Sequence, residues 1–324
     1  MNLGAANATR GFHKPGTYEA WYVTISEAAK RRGFWLRYTL FNPGRESDAE
    51  AHSALWAFTF DHDDPANNWG AKRSLPWDAL KLASKPFGVR IGESQLENGG
   101  CSGSFDSERG RAQWDLRWES RELPFPFIQP RWQGISTVAN IGAQPALTVT
   151  GTIEMNGKTF RLDGAPGGQQ HTWGESHALT WNWGFASTPN FWVDGATSRV
   201  KSRLGGVIVG TALGAQLGEH RFLFNNPLKA LRNAATPSSE AWKCEAQLGD
   251  RKLSVSITPR PQDLIGVTYD DPKGGTRTCY HTEVADLELR LMRKKDVLAE
   301  IKHQAAAAFE FASEQPLPDL KPLF

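Results

Sequence analysis

Apolar and polar residues alternate with a period of two along much of this chain. From Phe34 to Leu40, every second side chain is aromatic or aliphatic. The same alternation recurs in five further segments, at 54–60, 114–118, 179–185, 253–257 and 287–291. Because successive side chains of a strand point to opposite faces, this pattern is typical of antiparallel strands with one buried face. It predicts an all-β protein.

Turn signals separate these segments at short intervals. They are Asn42-Pro43-Gly44, Asn98-Gly99-Gly100, Asn156-Gly157, Gly249-Asp250 and Lys273-Gly274-Gly275. Such spacing favours a sandwich or a meandering barrel with a few short helices over a parallel α/β fold. The 324 residues suffice for two such units, and a glycine-rich break at 163–168 lies near the middle. We therefore predict two antiparallel β-barrel domains, residues 1–165 and 166–324.

Charge and motif content argue against several classes of function. Lys and Arg number 37 and Asp and Glu 35, so the net charge of +2 provides no strong field to attract nucleic acid. The chain lacks a P-loop, a dinucleotide fingerprint, a nucleophile elbow, a paired-cysteine motif and a His-Glu-x-x-His motif. We therefore expect no nucleic-acid partner, no cofactor and no bound metal ion.

The cellular location is predicted from what the chain contains and lacks. Three cysteines are too few for a disulfide framework and favour a reducing compartment. The N-terminus has no apolar leader core, and no run of about 18 apolar residues occurs. We expect a cytoplasmic protein that a hydrophobic ligand would bring into transient contact with a membrane surface.

The aromatic content is high, with 13 Trp, 17 Phe and 5 Tyr. Large rings need a deep core or a ligand to stack on, and each indole N–H needs a partner. This content favours an aromatic-lined pocket for a hydrophobic small molecule.

Glu19 lies in an unusual setting for a carboxylate. Alternation places it on the same face as Trp21, Val23 and Ile25. If that face lines a barrel interior, desolvation would favour the protonated carboxyl, which is fit to donate a proton. The alternative is a structural carboxylate held by an arginine or by backbone amides.

Two histidines are further acid–base candidates. His171 and Trp173 are two positions apart, so their side chains would lie on the same face of a strand. A histidine beside indole rings could protonate an alkene or an enol oxygen while the rings stabilise positive charge. His281 and Glu283 precede the apolar face of the 287–291 segment at the same parity. The alternatives are core tryptophans and a structural His–Glu hydrogen bond.

Two landmarks resemble one protein family. The first is Tyr18-Glu19-Ala20-Trp21-Tyr22, which is followed by candidate strands at 34–41 and 56–61. The second is His171-Thr172-Trp173-Gly174, which is followed by Trp181-Asn182-Trp183. Their order and separation resemble the carotenoid 1,2-hydratase, AttH-like and tocopherol cyclase-like group, including related pericyclases. The resemblance implies two lipocalin-like β-barrel halves packed together around a hydrophobic cavity, and cofactor-free chemistry on unsaturated lipids.

The leading hypothesis is a cofactor-independent hydratase or cyclase that acts on an isoprenoid or polyene. A buried acid would protonate a double bond, and water or an internal hydroxyl would capture the cation. The predicted catalytic residues are Glu19, His171 and His281. The predicted substrate-binding residues are Trp21, Trp56, Trp173, Trp181, Asn182 and Trp183. Candidate ligands are isoprenoids, carotenoids, quinols and polyketides.

Three alternatives remain open at this point. The same cavity would suit a non-catalytic carrier of lipid or pigment. A pericyclase would fold a flexible polyketide-type polyene into a reactive conformer and need little acid catalysis. A carbohydrate-binding protein is suggested by Trp35 and Trp69, which alternation places at exposed positions.

Overall fold

The computed structural model describes residues 3–10, 14–226, 228 and 235–324. These residues form two large antiparallel sheets, one of which is nearly closed into a barrel. The predicted all-β fold of two lipocalin-like barrel halves with a few short helices is confirmed.

Within the described residues, the first sheet contains twelve strands. They are β1 (Thr17–Glu27), β2 (Arg32–Asn42), β3 (His52–Asp61), β4 (Trp69–Pro76), β5 (Leu80–Ser84), β6 (Phe87–Ile91), β7 (Ser94–Glu97), β8 (Gly100–Ser107), β9 (Gly110–Ser120), β10 (Phe125–Pro126), β11 (Val138–Met155) and β12 (Lys158–Gly174).

The second sheet contains nine strands within the same described ranges. They are β13 (Thr180–Ser187), β14 (Phe191–Lys201), β15 (Val207–Leu217), β16 (His220–Phe224), β17 (Trp242–Leu248), β18 (Arg251–Thr258), β19 (Ile265–Asp270), β20 (Thr276–Arg293) and β21 (Asp296–Ser313).

Helical structure is confined to short segments in the described part of the chain. One α-helix, α1 (Leu3–Asn7), precedes the first strand. The 3₁₀ turns are Ala28–Lys30, Pro65–Asn67, Trp77–Ala79, Pro130–Ile135 and Pro261–Asp263. No helix among these residues is long and apolar enough to cross a membrane.

The two sheets have the same connectivity. In the first, β1 to β4 pair in sequence, β12 returns to pair with β1, and β4 and β5 form the two ends of the strand order. In the second, β13 to β16 pair in sequence, β21 returns to pair with β13, and β16 and β17 form the ends. Each half is therefore a meander that its last strand closes onto its first.

The chain passes between the sheets after β12. The predicted domain boundary at residues 165 and 166 falls inside this strand, whose residues Gly167–Gly174 pair with β1. The next strand begins at Thr180 and belongs to the second sheet. The division into two independent domains stays a prediction.

The strands of the first sheet near β1 are buried on both faces. One face of β2 packs Phe34, Leu36 and Tyr38 into the core of the first barrel. The other face packs Trp35 into a separate core between the two sheets, together with Trp183 of β13. The ionisable residues described below lie either on the strand faces that meet between the two sheets or at one end of the first barrel.

The expected exposure of Trp35 and Trp69 is wrong. Trp35 is fully buried, and Trp69 is 6% exposed. Alternation alone predicts one buried and one solvated face, but the second half covers the face that carries Trp35. A saccharide platform built from these two rings is therefore absent.

Candidate active site

Aromatic residues from both sheets meet where the halves pack together. Tyr22 of β1 contacts Trp183 of β13 edge to face, with ring centroids 5.6 Å apart. Trp35 of β2 joins the same apolar cluster. Polar groups on these faces are shielded from solvent, and charges interact more strongly there than in water.

A cluster of three buried ionisable side chains lies in this contact, and we call it the His281 cluster. His281 and Glu283 project from β20, and Glu310 projects from β21. The Nε2 atom of His281 donates a hydrogen bond to Oε1 of Glu283 at 2.9 Å. Its Nδ1 atom lies 3.2 Å from Oε1 of Glu310 without hydrogen-bond geometry, so that attraction is mainly electrostatic. Glu283 also accepts a hydrogen bond from Thr24 Oγ1 of β1.

Two backbone features position this cluster. The pairing of β20 with β21 shifts register between Thr282 and Ala285, next to Glu283. Opposite this point, β2 carries Gly33, where an added Cβ atom would lie 2.4 Å from the Cβ atom of Glu283. A glycine is therefore required for β20 to approach β2 this closely.

The charges of the cluster support one another. Burial alone would lower the pKa of His281, but its contacts with Glu283 and Glu310 raise the pKa to about 9. Burial would raise the pKa of Glu310, but His281 and then Arg37 hold it below the usual value. Burial raises the pKa of Glu283 despite the hydrogen bond from His281. At neutral pH the cluster therefore contains an imidazolium next to the Glu310 carboxylate.

Aromatic rings enclose the imidazole of His281. Trp35 stacks on it with ring centroids 4.5 Å apart, and Trp183 lies parallel at 6.3 Å. Phe60 contacts it at 5.5 Å with tilted planes. The flat faces of indole rings favour a cation, so these contacts are compatible with a protonated histidine.

A cavity of about 70 Å³ lies beside this cluster, between the two sheets. Its lining includes Tyr22, Arg37, His177, Trp181, Tyr269 and Glu310. Trp181 Nε1 donates a hydrogen bond to Glu310 Oε2 at 3.1 Å, which fixes that carboxylate at the cavity wall. We call this space the interface cavity.

A second cavity of about 40 Å³ adjoins the first. The two share Tyr18, Arg37, His177 and Tyr269, and the second is also lined by Lys72. Arg37 therefore stands at the junction of two small cavities.

Two other buried groups near the interface cavity have altered protonation. Burial and then the charge of Arg37 lower the pKa of His177 to about 3, so this ring is neutral at pH 7. Its Nε2 atom donates to the carbonyl of Asp270 at 3.1 Å. Burial raises the pKa of Asp194 to about 7, although Gln170 and Trp183 donate hydrogen bonds to its carboxyl.

Glu19 and His171 form a separate buried pair at one end of the first barrel. Oε1 of Glu19 lies 2.8 Å from Nε2 of His171, and the carbonyl of Ala6 lies 2.8 Å from Nδ1. A carbonyl only accepts, so Nδ1 carries a proton. Glu19 Oε2 is buried without a hydrogen-bond partner among the described residues.

The Glu19–His171 pair holds α1 across the end of the barrel. His171 binds the carbonyl of Ala6, Trp21 Nε1 donates to the carbonyl of Asn7, and the backbone N–H of Arg10 donates to Glu19. Trp21 stacks on His171 with ring centroids 4.7 Å apart. Trp173 contacts the imidazole at 4.8 Å, and an open cleft of about 370 Å³ reaches Glu19 and Trp173 from solvent.

The structure divides the predicted site residues between these two places. Glu19, Trp21, His171 and Trp173 surround the end of the first barrel. The remaining predicted residues lie at or near the contact between the sheets, and they are Trp56, Trp181, Asn182, Trp183 and His281. The sequence pattern did not indicate this separation.

The amide group of Asn182 is engaged with backbone. Its Nδ2 atom donates to the carbonyls of Ser238 and Glu310, and its Oδ1 atom accepts from the N–H of Ser238. These bonds hold β13 and β21 together beneath the cavity.

Sequence reasoning missed Arg37, Glu310, Tyr22 and Tyr269. Arg37 carried a weak local signal, because it lies on the same strand face as the large apolar ring of Trp35. Glu310 carried none, because a charged residue between Phe309 and Phe311 is what alternation predicts for a strand with one solvated face. Among the described residues, no three His, Cys, Asp or Glu side chains are grouped to hold a metal ion.

Sequence comparison shows similarity to two uncharacterized proteins of Mycobacterium tuberculosis, MT0513 of strain CDC 1551 / Oshkosh and Rv0493c of strain ATCC 25618 / H37Rv. Each is 25% identical over 288 residues, which covers 85% of this chain and 82% of the relative. No protein-family model matches the chain.

Structure comparison shows two crystal structures with the same arrangement. A Nitrosomonas europaea protein, NE1406, provisionally named AttH, matches with a TM-score of 0.54 and 12% identity over 92% of each chain. Kievitone hydratase from Nectria haematococca matches with a TM-score of 0.53 and 10% identity, covering 97% of this chain and 95% of that one. At these identities the likeness shows the fold, so the chain shares the lipocalin-like fold of both proteins.

Proposed function

We propose that this protein is a cofactor-independent hydratase or cyclase that acts on a double bond of a hydrophobic isoprenoid or polyene in the interface cavity. The position of Glu310 carries this proposal. Its carboxylate lines the cavity and lies 3.2 Å from the buried imidazole of His281. A proton source and an aromatic surface therefore meet at one place.

His281 supplies the proton in this proposal. Its pKa of about 9 keeps it protonated at neutral pH, and Glu310 contacts both the imidazole and the cavity. The Nδ1 atom of His281 lies 3.2 Å from Oε1 of Glu310, so a small rotation of the ring completes the hydrogen bond along which a proton passes to Glu310 and then to one carbon of the double bond. Water, or a hydroxyl of the substrate, then bonds to the other carbon and releases a proton, which returns to Glu310 and His281. The cluster is unchanged after each cycle, as general acid–base catalysis requires.

The surrounding rings would stabilise the intermediate cation. Trp181 and Tyr269 lie nearly parallel, with ring centroids 6.4 Å apart and 6° between their planes. A cation near the face of an indole or phenol ring is attracted by its quadrupole, most strongly where water is excluded. Arg37 already contacts the Tyr269 ring, so the face of Trp181 and the Glu310 carboxylate are the groups that favour positive charge developing on carbon.

The fold comparison supports a hydration reaction without assigning one. One structural neighbour is named a hydratase. Because one fold can host many reactions, the assignment depends on the residues of this chain.

The interface cavity is small. Its volume of about 70 Å³ is far below the roughly 300–1,000 Å³ of a typical ligand pocket. The proposed reaction therefore places only the reacting end of the substrate in the cavity. Trp181 is partly exposed, so the rest of a long substrate would leave the cavity past this ring.

Product analysis with two matched variants tests this proposal. Purified protein is incubated with extracts of isoprenoids, carotenoids, quinols and polyketides, and products are followed by chromatography and mass spectrometry. Glu310→Gln and Glu19→Gln each remove a carboxylate from a buried histidine, one at the interface cavity and one at the barrel end. We expect Glu310→Gln to lower the rate by about 10²–10⁴, whereas Glu19→Gln retains activity.

Each outcome has a distinct meaning. A product heavier by one water molecule identifies hydration, and an isomer of equal mass identifies cyclisation, provided that Glu310→Gln abolishes it. Loss of product in Glu19→Gln alone would move the chemistry to the barrel end and overturn the proposal. An isomer that forms equally in both variants would indicate a pericyclase. Ligand that all three proteins retain unchanged would indicate a carrier.

A further inference from the structure

Arg37 is a buried cation surrounded by aromatic rings. Its residue surface is 6% exposed, and the guanidinium carbon lies 4.3 Å from the ring centroid of Tyr269. Trp35, Trp56 and Tyr22 lie between 5.5 and 5.9 Å from the same carbon. These contacts favour a cation, but aromatic faces supply no hydrogen-bond acceptor in the plane of the guanidinium.

Two hydrogen-bond donors at this place lack a strong acceptor. Within the described residues, the Nε–H of Arg37 and the hydroxyl of Tyr269 are both buried without a nitrogen or oxygen partner, and the hydroxyl lies beside the thiol of Cys279, which is only a weak acceptor. Both residues line the interface cavity and the cavity that adjoins it. Buried donors are nearly always satisfied in folded proteins, so a pair facing one cavity indicates an acceptor that arrives from outside the chain.

The nearest carboxylate of the cavity is already engaged. Oε1 of Glu310 faces the imidazole of His281, and Oε2 accepts the hydrogen bond from Trp181 Nε1. Glu310 influences Arg37 through its charge, but its two oxygens have these other partners. A buried charge without a direct partner is destabilising, which favours a functional reason for retaining it.

We propose that Arg37 and the Tyr269 hydroxyl bind a carboxylate of the substrate. This inference rests on the proposed function, because it places the substrate in the same cavity. The substrate class is then an apolar unsaturated acid, with its carboxylate at Arg37 and its double bond near Glu310.

The chemistry of the two donors and the adjoining cavity suits a carboxylate. A planar guanidinium matches the two oxygens of a carboxylate, and the phenol hydroxyl adds a third donor. The ammonium of Lys72 lies 4.5 Å from the ring of Trp56 in the adjoining cavity, where the carboxylate of Asp270 offsets its charge, so Arg37 is the cation that a substrate carboxylate would pair with. An uncharged alcohol would leave these donors with poorer partners.

A binding comparison with two matched probes tests this subsite. Geranic acid and geraniol share an unsaturated isoprenoid chain and differ in carrying a carboxylate or an alcohol. Their dissociation constants are measured at pH 7 by calorimetry and by quenching of tryptophan fluorescence. We expect wild-type protein to bind the acid about 10- to 100-fold more tightly, since hydrogen bonds to charged groups contribute free energies of that order.

Three variants separate the subsite from a structural role. Arg37→Met and Tyr269→Phe should each remove most of the preference for the acid. Arg73→Met should keep it, because Arg73 lies next to Lys72 on β4 and is exposed. Thermal unfolding should show that Arg37→Met stays folded but is less stable than wild type, since it loses the attraction to the Glu310 carboxylate and the contacts with the surrounding rings.

Three results would overturn the subsite. They are equal affinity of wild type for acid and alcohol, an unchanged preference in both Arg37→Met and Tyr269→Phe, or an Arg37→Met variant that unfolds while Tyr269→Phe keeps the preference. Affinity and product formation are measured separately. A protein that prefers the acid but forms no product would refute the proposed reaction and leave the subsite standing.

Discussion

The imidazole of His281 lies almost parallel to the indole of Trp35, with ring centroids 4.5 Å apart and 27° between the planes. His281 belongs to β20 and Trp35 to β2, so this contact joins the two sheets. Since a protonated imidazole is attracted to the indole face, the charge of His281 links the packing of the halves to the proposed chemistry.

We expect the protein to lose stability between about pH 6.5 and pH 9 because of His281. Its pKa of about 9 in the folded chain lies above the value of 6.5 for the free side chain. The folded state therefore binds more protons in this window. The stabilisation is complete below pH 6.5 and is lost as the pH rises through 9, with an upper limit of about 3 kcal/mol.

Urea unfolding at several pH values measures this effect. His281→Asn removes the titrating group and should flatten the dependence of unfolding free energy on pH over the same window. Equal slopes for wild type and variant between pH 6.5 and 9 would show that His281 is not protonated preferentially in the folded state.

Replacing Gly33 with alanine should disrupt the His281 cluster without changing any of its ionisable side chains. The new Cβ atom would lie 2.4 Å from the Cβ atom of Glu283, so β2 and β20 must separate. Such overpacking destabilises by about 1–3 kcal/mol. Gly88→Ala is the matched control in strand β6, where the added atom meets ordinary contact at 3.8 Å. Chemical unfolding compares the two, and a Gly33→Ala variant as stable as Gly88→Ala would refute the close approach.

The alternation in the sequence predicted the strands and the faces inside each barrel. The residues Phe34, Leu36 and Tyr38 pack together as their shared parity indicates. Alternation reports only that neighbouring side chains point in opposite directions. It does not report what covers the second face, so Trp35 was assigned to solvent and Arg37 was overlooked.

The candidate site depends on contacts that are distant in sequence. Thr24 and Glu283 form a hydrogen bond across 259 positions, and Glu19 and His171 form theirs across 152. The family resemblance placed Glu19 in the first landmark and His171 in the second, but it could not separate the barrel end from the interface. That separation depends on how the two sheets pack against each other. The alternation along each strand carries no information about that packing.

Glu19→Gln should loosen α1 while the interface cavity stays intact. The change alters the contact between Glu19 and His171, whose imidazole in turn binds the carbonyl of Ala6. We expect a loss of about 1–3 kcal/mol, the usual effect of leaving a buried polar group poorly satisfied. Hydrogen exchange of the Ala8 amide, which bonds to the carbonyl of Gly4, should accelerate.

A surface pair provides the control for that measurement. Glu175 is 40% exposed and pairs with Arg203, so Glu175→Gln should change stability by less than about 1 kcal/mol. If Glu19→Gln behaves like Glu175→Gln in both stability and exchange, the Glu19–His171 pair does not hold α1.

His177 should make the protein sensitive to acid. Burial and the charge of Arg37 lower its pKa to about 3 in the folded chain, from 6.5 for the free side chain. The unfolded state therefore binds more protons below pH 6.5, and stability falls as the pH decreases from 6.5 towards 3, by at most about 4 kcal/mol.

His177→Gln should flatten this acid limb in urea unfolding, whereas His220→Gln, at a partly exposed site on β16, should not. Because Arg37 is a cause of the low pKa, Arg37→Met should flatten the limb in part. Identical acid limbs in wild type and His177→Gln would mean that other groups cause the acid unfolding and that this imidazole is protonated without penalty.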